Sequence, residues 1–126
     1  MAYNNPRTVT YSFNHDFGAG SDALAIKGPT GMKGRIIDIG VMVTETFNAV
    51  TTPAYVRMGT TTDADAYAEL NMGTAADTNY YNTQDDTDAI IDADLPADTQ
   101  IEVALVAPTG GTPAGIGVVN IVVDWY

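Results

Sequence analysis

The stretch GIGVVNIVVDWY, residues 115–126, decides the fold class. From Val119 its odd positions are Val119, Ile121, Val123 and Trp125, whereas its even positions mix Asn120 and Asp124 with Ile116, Val118, Val122 and Tyr126. A strand sends successive side chains to opposite faces, so this alternation predicts one face in a core and the other half wet. β-Branched residues dominate and Leu is missing, which suits a pleated strand better than a helix. The half-apolar even face, Ile116, Val118, Val122 and Tyr126, is the candidate interface. Obligate contacts resemble a core cut in half, and Asp124 should sit there paired or at the rim.

Working outward, the same period recurs along the chain. Residues 8–17 place Val9, Tyr11, Phe13, His15 and Phe17 on one side and Thr8, Thr10, Ser12, Asn14 and Asp16 on the other. Residues 23–27 can form a short strand after a Gly/Ser/Asp turn. Residues 35–45 predict a long central strand with Ile37, Ile39, Val41 and Val43 on one face and Ile36, Asp38, Gly40, Met42 and Thr44 on the other. Gly40 marks a bulge or a close approach. Short strands are predicted at 54–59, 80–83 and 89–91, and a longer one at 99–107. The one helix predicted covers 62–73, where Thr62 and Asp65 make a capping-box-like start and Gly73 a stop. Seven or eight strands, one short helix and no βαβ rhythm predict a single all-β domain. Its form is an antiparallel β-sandwich, either a jelly roll or an immunoglobulin-like sandwich.

Composition narrows function. The 126 residues carry 16 acidic and 5 basic side chains, a net charge of −11, and every basic residue (Arg7, Lys27, Lys33, Arg35, Arg57) precedes Met58. Phosphate binding needs clustered Lys and Arg, so nucleic acid is disfavoured, and anionic membranes are disfavoured for the same reason. No cysteine is present, so the fold holds without disulfides and no thiolate chemistry exists. MAYNNPRTVTYSF has no apolar core of signal-peptide length, and nothing approaches a bilayer-spanning run of ~20 residues. Synthesis in a cytoplasm is expected.

Chemistry-bearing residues are sparse. His15 is the sole histidine. Ser12 and Asp16 differ from it by odd numbers and so face the other way on a strand, which argues against a triad. Asp85, Asp86, Asp88, Asp92, Asp94 and Asp98 are dense enough to raise Ca²⁺, a taker of six to eight oxygens, but the order of an EF-hand loop is missing and a solvated rim is the plainer reading. Tyr67, Tyr80, Tyr81, Trp125 and Tyr126 offer a carbohydrate platform in principle. Their scatter fits core and interface roles better.

Two segments carry a resemblance. LPADTQIEVALVAPTGGTPAGIGVVNIVVDWY, residues 95–126, resembles the C-terminal signature of small jelly-roll structural proteins of tailed bacteriophages. VRMGTTTDADAYAEL, residues 56–70, is similar to the same group, in which a strand runs into such a turn and a short helix. The resemblance implies a jelly roll and a virion protein without enzymatic activity or cofactor. Its place would be the capsid surface, as a decoration (cement) protein on the major capsid protein, in a small oligomer and preferably a trimer. The alternative is a carbohydrate-binding sandwich module of a phage fibre or adhesin.

Overall fold

The computed structural model describes residues 7–48 and 51–126; the expectation that no export signal opens the chain concerns in part residues 1–6, outside these. Among the described residues nine strands form in order: β1 (Arg7–Asp16), β2 (Asp22–Ile26), β3 (Gly34–Asn48), β4 (Tyr55–Gly59), β5 (Ala68–Asn71), β6 (Tyr80–Asn82), β7 (Asp94–Leu95), β8 (Ile101–Val106) and β9 (Ala114–Trp125). One sheet has the order β1-β9-β3-β6, with β7 also paired to β3, and the other has the order β2-β8-β4-β5. All pairings are antiparallel, and the two sheets pack into a β-sandwich. Four of the pairs are nested in the chain: β1 with β9, β2 with β8, β3 with β6, and β4 with β5.

β9 is the spine of the first sheet, flanked by β1 and β3. Val119, Ile121 and Val123 are fully buried and Trp125 nearly so, while the even positions from Ala114 to Asp124 are half-buried, as the alternation predicts. The opposing sheet supplies Val56, Met58, Leu70, Ile101, Val103 and Leu105 to the same core. Each buried aliphatic side chain of this size contributes roughly 1.5–3 kcal/mol, so burial between the sheets is what holds a cysteine-free chain together.

Trp125 closes one end. Its indole Nε1–H donates to the Tyr11 hydroxyl (3.1 Å), and its six-membered ring lies against the backbone of Gly28 and Gly34, where added Cβ atoms would come within 2.4 Å and 2.6 Å of it. The loop from β2 to β3 is thereby shaped around one side chain.

Two expectations are corrected. Alternation predicts Ile37 on the core face of β3 with Ile39, Val41 and Val43, yet Ile37 is 48% exposed and Ile36 is buried. The register against β9 slips between Ile36 and Asp38, so Ile37 is the extra residue of a bulge, and the bulge inverts the phase of everything before it. Gly40 is not the bulge: the Tyr80 ring and Asn82 occupy the space a Cβ would take there.

The helix expected over 62–73 is instead a turn and a strand. Thr60 Oγ1 accepts the Asp63 N–H (3.0 Å), the Thr60 N–H donates to Asp63 O (2.8 Å), and Tyr67 N–H returns to Met58 O (2.9 Å), closing the β4–β5 hairpin. Ala68, Leu70 and Met72 then alternate inward. Period-two burial beside β4 outweighs the local capping signal, because a short helix here has no apolar stripe to bury. The single helical element among the described residues is a 3₁₀ turn at Phe17–Ala19, capped by the Asp16 carboxylate. Residues 89–91 contribute only an isolated bridge from Ile90 to Ala68.

Candidate functional site

The outer face of the first sheet is where the sequence-derived interface falls, and the register writes it out as rows. At one end Asp16, Ile116 and Glu45 lie abreast. Next come Asn14, Val118, Met42 and Tyr80, crossing β1, β9, β3 and β6. Then follow Ser12, Asn120, Gly40 and Asn82, and after them Thr10, Val122 and Asp38. The second of these rows carries an apolar run, Val118–Met42–Tyr80, with Met42 39% and Tyr80 41% exposed. Ile116 lies in the adjoining row, and Val122 lies beyond the polar row of Ser12, Asn120 and Asn82.

Of the four residues expected at an interface, Ile116, Val118 and Val122 share this face. Tyr126 stands apart, beyond Asp124 at the end of β9, 51% exposed and backbone-paired with Lys33. Met42 and Tyr80 are the members that sequence reasoning missed. Their signal was present, Met42 on the less apolar side of 35–45 and Tyr80 in a predicted strand, but only pairing brings them beside Val118.

Part of the polar surround is paired within the face. Ser12 Oγ donates to Asn120 Oδ1 (2.6 Å), and the Thr8 hydroxyl donates to Asp124, which is half-buried at the rim. Asp38 accepts from both the Tyr80 hydroxyl (3.1 Å) and Thr83 Oγ1 (3.0 Å). Burial of the Tyr80 hydroxyl, with the Asp38 charge and hydrogen bond added, pushes its pKa up to about 12. Ionising it would set a second negative charge against Asp38. Tyr81, which points inward beside Val41, is also raised, by burial first and then by the charges of Asp86 and Asp85.

The other candidates are accounted for by structural bonds. His15 Nε2 is 2.8 Å from Gly20 O and its ring meets Phe17 edge-on, whereas Ser12 is engaged with Asn120 on the opposite face. In a shallow depression lined by His15, Asp16, Ala19, Gly20, Ser21 and Asp22, Asp16 holds the Ala19 N–H, Asp22 the Ala23 N–H and Ser21 the Ala107 N–H. The acidic run behaves likewise. Asp85 accepts from Asn82 N–H, Asp86 from Asn71 N–H, Asp92 from Asp94 N–H and Asp98 from Gly31 N–H. These carboxylates pin loops, and among the described residues no three acidic or imidazole groups gather with metal-binding geometry. Of the five aromatics, Trp125 is in the core and Tyr67 and Tyr81 pack against it, which leaves Tyr80 and Tyr126 exposed, on separate parts of the surface.

The outer face of the second sheet differs in character. Ala23, Ala104, Arg57 and Glu69 lie abreast there, with Arg57 bonded to Glu69 (2.6 Å) and its guanidinium 4.5 Å from the Tyr55 ring centroid. No helix among the described residues is long and apolar enough to cross a membrane. Compared with protein-family models, with curated proteins and with solved structures, the chain matches none. The class that fold and site define is a β-sandwich with one partly apolar outer face.

Proposed function

We propose that the chain is a non-enzymatic virion structural protein, a decoration (cement) protein that binds the outside of a tailed-phage head as a small oligomer, a trimer favoured, and stabilises the shell. The phage assignment comes from the resemblance of residues 95–126 and 56–70. The observation that carries a docking role is the row Val118–Met42–Tyr80 on the outer face of the first sheet, because a side-by-side apolar row whose neighbours Asn120 and Asp38 are already hydrogen-bonded is what a protein contact covers at modest desolvation cost. The nested pairs support the jelly-roll reading, since a jelly roll is wound from a long hairpin whose arms pair first with last.

Charge fits the same role. Copies carrying −11 repel one another in solution, so they settle only where a specific apolar contact or a cationic partner surface outweighs the repulsion. The major capsid protein is the partner this reading requires. The test is fractionation of purified virions followed by electron microscopy of intact heads. Density for this sandwich on the shell, at stoichiometric copy number, is the expected result; purified particles that lack the chain would remove the proposal.

A further inference from the structure

We propose that the free edge of β1 pairs antiparallel with the same edge of a second copy, joining two first sheets into one continuous sheet about a twofold axis. β1 is the end strand of its sheet, ten residues long, and its register with β9 runs from Arg7 to Asp16 without a slip. No described residue bonds to its other edge through a backbone ladder. Edge strands invite pairing with another chain and are ordinarily blunted by shortness, Pro, Lys, a bulge or a covering element. The opposite edge of this sheet is short, three residues in β6 and two in β7. Among the described residues the β1 edge has none of these protections.

The core is also unfinished on that side. Val9, Tyr11 and Phe13 face inward but are only half-buried, although their partners Val123, Ile121 and Val119 are fully buried. A strand added beside β1 would carry side chains over the exposed parts of these three.

The occupant follows from length and charge. Among the described strands at a sheet edge, β2 has five residues, β5 four and β6 three, so only another β1 matches a ten-residue edge along its length. Arg7 and Asp16 are the only charged groups on β1 with His15 neutral, and they stand at its two ends. Antiparallel self-pairing is an isologous contact, and along this strand it sets no like charges opposite each other. A continuous sheet also requires that partners face the same way. Centring the pair on Tyr11 meets that condition and sets Val9 against Phe13 inside, and Thr10 against Ser12 and Thr8 against Asn14 outside. The contact is separate from the outer face of β9 and stands whether or not the chain decorates a capsid; where it forms, the assembly is even-numbered in place of the trimer favoured above.

The chain has no cysteine, so introduced ones report cleanly. Thr10→Cys and Ser12→Cys, both exposed and outward, are mixed and mildly oxidised with Thr61→Cys, on an exposed loop, as control. The expected result is a covalent Thr10→Cys/Ser12→Cys dimer that forms well ahead of any control dimer, together with a doubled or other even-numbered mass for the unmodified full chain in sedimentation. Three results overturn the proposal: a monomer at every accessible concentration, an odd-numbered oligomer, or an oligomer without the β1 crosslink. An oligomer that Val118→Asp dissociates and that fails to crosslink through β1 assigns the contact to the outer face instead.

Discussion

Gly34→Ala probes the seat of Trp125. An alanine Cβ at Gly34 would lie 2.6 Å from Trp125 Cζ3, 2.9 Å from Cε3 and 3.1 Å from Cη2. Carbon atoms rest at about 3.5–4.0 Å, so the ring must retreat by ~1 Å. Retreat is resisted on the other contacts, since Gly28 lies as close and the Nε1–H is bonded to Tyr11. Overpacking of this kind costs ~1–3 kcal/mol, offset by at most ~1 kcal/mol from the lower chain entropy of Ala in a strand. The net expectation is a loss of about 1–2 kcal/mol. In urea, with an m of ~1–3 kcal/mol/M, that lowers the midpoint by roughly 0.3–2 M at unchanged m.

Trp125→Phe removes the atoms that clash, so in the double variant the added methyl fills vacated space. The two costs should then fall short of additivity by about 1 kcal/mol. Far-UV circular dichroism at one fixed protein concentration is the readout, because Trp125 is the only tryptophan. Wild-type stability for Gly34→Ala, or two costs that simply add, would refute this account of the end of the sandwich.

Other substitutions test the faces directly. Val119→Asp should abolish cooperative melting, since it buries a lone carboxylate where exposure is nil, whereas Val118→Asp on the half-buried side should melt within a few degrees of wild type. Ile36→Lys should be far more damaging than Ile37→Lys; equal effects in thermal melts would place the β3 bulge elsewhere. Ultraviolet titration should find one tyrosine ionising near pH 12. Its raised folded value means that Tyr80 adds stability in full below about pH 10, the unfolded value, and that this is lost as pH climbs toward 12. Asp38→Asn should move that titration down only part of the way, because burial is the larger cause. Glu69→Gln should cost less than ~1 kcal/mol in denaturant melts and lose that effect in high salt, as both partners of the Arg57 pair remain 29% exposed.

Periodicity along one stretch is a local property, so the strands at 7–16, 34–48, 101–106 and 114–125, the inward parity of Val119 to Trp125 and the antiparallel sandwich were all legible in the sequence. So was the charge, which depends on no fold. What tertiary structure alone decided is register. A single inserted residue at Ile37 exchanged the faces of Ile36 and Ile37, and no pattern within β3 announces it, because the slip exists only against β9. Residues 62–73 carried a helix's end signals and became a turn and a strand, because a neighbour at β4 offered burial that local signals cannot weigh. The candidate site has the same origin. Val118, Met42 and Tyr80 lie far apart in the chain, and hydrogen-bonded pairing of β9, β3 and β6 alone sets them side by side.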